Sequence, residues 1–150
     1  MKYERYESIY YSENYMEFEF ISKGPKGEIL KMVQFTETEN NRIYNLAFGN
    51  KKNDGKLDDY SVNNNKDRNK IIATVADIIA LFTTHHPDKY VIFIGSDMTR
   101  NRLYRMAINL NLSELKSNFE IYGLLIKKSK WITEEFEANK EYEGFLIKRK

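Results

Sequence analysis

The sequence predicts an α+β domain: a mostly antiparallel sheet of five or six strands, in the order β-β-β-α-β-α-β, packed by two helices. Three observations predict it. Residues 16–48 hold three apolar stretches separated by turn-forming or polar residues. Lys70–Thr84 places Ile71, Val75, Ile78, Ile79 and Phe82 at helical spacing. Tyr90-Val91-Ile92-Phe93-Ile94 is a continuous apolar run, followed at once by a second helical pattern.

The bulk numbers fit that architecture. A chain of 150 residues with 41% hydrophobic and 31% charged residues reads as one domain, 1–150, with a sizeable core. There is no cysteine, which rules out disulfides, thiolate metal sites and a cysteine nucleophile. No apolar run approaches the ~20 residues that span a bilayer, and the first fifteen residues lack a signal-peptide core. A cytoplasmic protein with no membrane partner is expected. The net charge of +2 is too small for coating nucleic acid by charge alone. Charge is segregated along the chain: Arg100–Lys130 has seven Lys/Arg against two Glu, and Trp131–Ile147 has five Glu against one Lys. Solvated faces that neutralise each other are the ordinary explanation.

Taken in order, residues 1–15 are an irregular, tyrosine-rich lead-in with an edge strand as the alternative. Met16, Phe18 and Phe20 alternate with Glu17 and Glu19, the period of a half-buried strand. Gly24-Pro25-Lys26-Gly27 turns the chain into a second strand, Glu28–Phe35. In it Leu30, Met32 and Gln34 share one face, and Ile29, Val33 and Phe35 the other. Arg42–Phe48 is the third strand, and Gly49–Asn65 a polar loop. The first helix follows, with Asn65 or Asp67 as its cap and Pro87 beyond its end. After the central strand, a second helix runs from about Thr99 to Asn111, with Leu103, Met106, Ala107 and Leu110 inward. Phe119–Leu125 is a further strand, Lys127–Lys130 a basic bend, and Gly144–Lys148 a short last strand.

The turn Gly95-Ser96-Asp97-Met98-Thr99-Arg100 is the leading candidate site. Unsatisfied N–H groups at a helix start attract anions, and Arg100, Arg102 and Arg105 supply donors suited to phosphate. The predicted binding residues are Gly95, Ser96, Thr99, Arg100, Arg102 and Arg105, with Lys127, Lys128 and Lys130 as possible additions. Against this, Ser96, Asp97 and Thr99 are ordinary caps, Asp97 would repel an anion, and no GxGxxG or Walker lysine is present. The expected partner is a phosphate-bearing ligand or nucleic acid.

Two other classes compete. A protein–protein interaction module would use Tyr10, Tyr11, Trp131, Phe136, Tyr142 and Phe145 as an aromatic surface. A metal-dependent phosphodiesterase of ribonuclease H-like topology would need Glu17 or Glu19, Asp77 and Asp97 to converge. Asp58 and Asp59 lack the register of a calcium loop, and the adjacent His85 and His86 fit the last turn of a helix. No cofactor and no catalytic residue is assigned.

One resemblance spans most of the chain. It rests on Tyr44-Asn45-Leu46-Ala47-Phe48-Gly49, Asp58-Asp59, Ile72-Ala73-Thr74-Val75 and Gly95-Ser96. It continues through Arg100, Arg102, Leu103 and Tyr104 to Phe145-Leu146-Ile147. With these the chain resembles a bacterial family of small proteins known only as a domain of unknown function. The resemblance implies a single self-contained domain and brings no activity and no catalytic residues with it.

Overall fold

A computed structural model of the chain describes residues 4–58, 64–95 and 97–150. Its elements run β1 (Tyr10–Tyr11), β2 (Glu17–Gly24), β3 (Gly27–Glu37), β4 (Ile43–Lys51), β5 (Leu57–Asp58), α1 (Arg68–His85) and β6 (Tyr90–Phe93). They continue with α2 (Met98–Leu110), α3 (Leu112–Asn118), β7 (Phe119–Lys127), β8 (Lys130–Glu135) and β9 (Gly144–Arg149). The fold is α+β, as predicted, but among the described residues the sheet has nine strands rather than five or six, and three helices rather than two pack on it. The additions left little trace in the sequence. β1 and β5 are two residues each, α3 buries no residue, and β8 is exposed at five of its six positions.

The strand order is β1-β2-β3-β4-β6-β9-β7-β8, with β5 pairing β4 off this path. Among the described residues every pairing is antiparallel except β4 with β6, where Tyr44 lies opposite Val91. Those two parallel strands are joined by α1, whose 18 residues return the chain along ~27 Å. Both α1 and α2 therefore begin beyond the carboxyl ends of the parallel pair, the place where open sheets with such crossovers expose helix N-termini.

Alternation builds the core. Phe18 and Phe20 of β2, Val33 and Phe35 of β3, and Tyr44, Leu46 and Phe48 of β4 are buried on the face that α1 covers. Phe82 of α1 stacks on Phe35 with ring centroids 4.0 Å apart. In α2 the buried residues are Tyr104 and Ile108, with Tyr104 edge-on to Phe93 at 5.2 Å. Beside them the predicted inner residues Leu103, Met106 and Ala107 are half-buried, and the correction falls on Leu110, which is 40% exposed. Among the described residues, no helix is long and apolar enough to cross a membrane.

Candidate functional site

A pocket of about 400 Å³ opens between the starts of α1 and α2, over the ends of β3 and β4. Among the described residues its walls carry Lys31, Lys66, Arg68, Arg100 and Arg102 against two acids, Asp67 and Asp97. Phe48 and Ile71 form apolar wall beneath them.

Lys31 is the unusual member. It sits on the helix-facing side of β3, in step with Val33 and Phe35, and is only 6% exposed. Its ammonium donates to Asn50 Oδ1 at 2.6 Å and stands 5.9 Å from the ring centre of Phe48. The Arg100 guanidinium lies 5.5 Å from that same ring centre. Burial, and after it the Arg100 charge, holds the Lys31 ammonium below the ordinary lysine pKa, while Asp67 pulls it upward. An anion entering this pocket would meet one buried cation, Lys31, and the half-buried Arg100, with Lys66, Arg68 and Arg102 exposed at the rim.

The start of α1 is fastened to the β2–β3 hairpin. Asn65 is buried; its amide nitrogen donates to Ser22 Oγ at 3.1 Å and to the Gly27 carbonyl at 3.0 Å, and its Oδ1 accepts from the Lys26 N–H at 2.7 Å. Gly24 makes that approach possible, because a Cβ there would lie 2.0 Å from the Asn65 carbonyl oxygen. On either side of Asn65 the backbone is left-handed, with φ of 39° at Asn64 and 60° at Lys66. Residues held in that region cost energy and cluster at ligand sites.

Neither Asn65 nor Asp67 caps α1 through its side chain, contrary to the sequence expectation. Asp67 holds the N-cap position without a cap bond, because its Oδ2 accepts from Tyr6 Oη at 2.5 Å and Ser22 Oγ at 2.6 Å. Burial, then the bond to Asp67, raises the Tyr6 phenol pKa. The first-turn N–H groups of α1 thus receive no side-chain oxygen from their own cap.

At α2 the ordinary capping reading holds for Asp97, whose Oδ1 accepts the Arg100 N–H at 2.8 Å. Of the predicted binding residues, Thr99, Arg100 and Arg102 line the pocket. Gly95 serves α2 itself: its N–H donates to Asn101 Oδ1 at 2.6 Å, and a Cβ there would lie 2.4 Å from the Asn101 backbone nitrogen. Arg105 turns toward Glu141, 3.8 Å away, in a separate depression. Ser96 lies outside the described residues. Lys127, Lys128 and Lys130 belong to the β7–β8 hairpin at the far edge of the sheet.

The carboxylates required for two-metal chemistry do not come together. Glu19 is bonded by Lys51 at 3.1 Å, Asp77 by Arg5 at 2.6 Å, and Glu17 is exposed beside Gln34. Among the described residues, no group of three or more His, Asp or Glu side chains is gathered around a possible ion. Asp59 lies outside the described residues. His85 stacks on Tyr15 at 3.5 Å, and His86 packs against Phe82 at 4.7 Å. Of the aromatic candidates, Tyr10, Tyr11 and Trp131 are exposed on the two opposite edges of the sheet, whereas Phe136, Tyr142 and Phe145 are core.

Lys31, Phe48, Lys66 and Arg68 also line the pocket and are not among the binding residues predicted from the sequence. The signal for Lys31 was present: a lysine in step with Ile29, Val33 and Phe35 on an apolar face.

Residues 2–150 match the family described as "Family of unknown function (DUF6934)", and the chain belongs to that family. No curated protein and no solved structure matches it.

Proposed function

For this member of a family of unknown function, we propose that the chain binds a small phosphate-bearing ligand in the pocket between the starts of α1 and α2. The observation that carries the reading is the pair Lys31 and Arg100, set on one aromatic ring, Phe48, within a mainly cationic recess. A buried lysine with a depressed pKa is a costly element in a strand, and such groups concentrate at binding and catalytic sites. Arg100 and Arg102 add planar, always-charged donors, and the first turn of α1 adds backbone N–H groups.

A recess of about 400 Å³ has the size of a small-molecule site. Nucleic acid instead calls for a basic stripe along a face, and here Arg105 and the β7–β8 lysines are turned elsewhere.

Calorimetric titration at low salt with inorganic phosphate, a nucleoside monophosphate and a short RNA tests it. Saturable phosphate binding should weaken ~10-fold or more in Arg100→Ala/Arg102→Ala, since hydrogen bonds to charged groups contribute ~1.5–3 kcal/mol. Absence of phosphate binding, or binding untouched by the double substitution, contradicts the proposal. RNA binding without phosphate binding would move the function to nucleic acid.

A further inference from the structure

Beyond the cationic pocket lies a second hollow, of about 70 Å³, under α1, α2 and α3. Its walls are almost wholly apolar, with Val75 and Ile79 of α1 facing the sheet residues and Ala107 of α2. Phe48, Ile71 and Leu103 line both spaces, so the hollow and the cationic recess are neighbours that share these three side chains.

Asn111 brings an amide into this apolar wall. Asn111 closes α2 and is 5% exposed; its amide nitrogen donates to the Ala107 carbonyl at 3.0 Å. Its Oδ1 has no hydrogen-bond partner among the described residues. Buried acceptors are nearly always satisfied, and Asn69 and Asn109 hold similar unpaired oxygens, but of the three only Asn111 lines the hollow, where a donor from outside the chain has room. Asn111 lies eight residues beyond Leu103, ~12 Å along the helix axis.

We propose that the ligand is a phosphate monoester with a short aliphatic tail. The phosphate occupies the cationic pocket and the tail enters the hollow between α1 and α2. A hydroxyl or N–H on the tail would satisfy the Asn111 oxygen. This rests on the binding reading given above and specifies the ligand class. The size of the hollow selects a chain over a ring, since a cavity of about 150 Å³ is one that takes up benzene.

Calorimetry on the full chain with inorganic, methyl, butyl and hexyl phosphate decides the matter. Affinity should climb about fourfold per buried methylene until the hollow is filled, then level off. Ala107→Leu, which fills the hollow, should keep inorganic phosphate binding and lose the gain with tail length. Should that variant fail to show a cooperative melt, Ala76→Val serves the same purpose from the α1 side. Asn111→Leu should tighten hexyl phosphate and leave inorganic phosphate unchanged. Equal binding of all four phosphates contradicts the tail while leaving the phosphate site standing. If no phosphate in the series binds, both readings fail. A hexyl phosphate affinity unmoved by Asn111→Leu contradicts the passage of the tail beside that residue.

Discussion

Lys31 and Asn50 face each other across the β3–β4 ladder, and the lysine ammonium donates to the asparagine amide oxygen at 2.6 Å. The pairing fixes a cation on the core side of a sheet, where its long apolar stem runs beside Phe48. A buried charge is costly unless it is paired and hydrogen-bonded.

Lys31→Met removes the buried charge and keeps the volume. Replacing buried ionic groups by packed apolar ones is often neutral or stabilising, and the lost bond to Asn50 offsets some of that gain. The variant should therefore melt within a few degrees of the wild type, on the scale of ~1 kcal/mol, yet bind phosphate at least ~10-fold more weakly. A large drop in melting temperature would make Lys31 a structural residue.

The depressed pKa of Lys31 has a definite pH signature. Between its lowered folded value and the ordinary lysine value, the unfolded chain holds a proton that the folded chain lacks. Stability attributable to this group therefore rises with pH through that window, and its penalty is fully present below it. Subtracting Lys31→Met melting curves from wild-type curves as pH rises toward the ordinary lysine value of about 10.4 isolates the effect. The difference should grow in favour of wild type as pH rises. Phosphate binding should show the opposite trend, weakening through the same window with proton uptake on binding.

Gly24→Ala places a Cβ against the Asn65 carbonyl. Because the obstacle is backbone, relief requires the start of α1 to shift. A loss of about 2 kcal/mol in chemical denaturation is expected, together with weaker phosphate binding. Wild-type stability in this variant would contradict the close seating of Asn65 on the hairpin.

Asp67→Asn should move stability and affinity in opposite directions. The carboxylate holds the Tyr6 and Ser22 hydroxyls, so weakening those bonds costs about 1 kcal/mol. Removing a negative charge from the pocket wall should tighten phosphate binding several-fold at low salt. Melting and titration of the same sample check both signs, and weaker binding in the folded variant would contradict the assignment.

Much of this was legible in the sequence, though unevenly. The alternation of Phe18 and Phe20, the helical spacing of Ile78 and Phe82, and the run Tyr90–Phe93 each reported their own element. Arg100 and Arg102, which line the pocket, stood out in the sequence because they follow a turn after a buried strand. What pattern alone does not carry is which strands become neighbours. The parallel pairing of β4 with β6 brings two helix starts together, and only then does Lys31 acquire Arg100 as a neighbour across Phe48. Asn65–Arg68 read as loop and cap because the hydrogen bonds that define them run to residues about forty positions away. β8 was missed for a different reason: at the edge of the sheet, with Trp131 and Ile132 exposed, burial imposes no period on it.

The most direct test of the phosphate site is an amide NMR titration of the full chain with inorganic phosphate at low salt. Saturable shifts should concentrate at Lys31, Asn65–Arg68 and Asp97–Arg102, and should vanish for Arg100→Ala combined with Lys31→Met. Shifts that fail to saturate, or that centre on Lys127–Lys130, would contradict a phosphate site between the two helix starts.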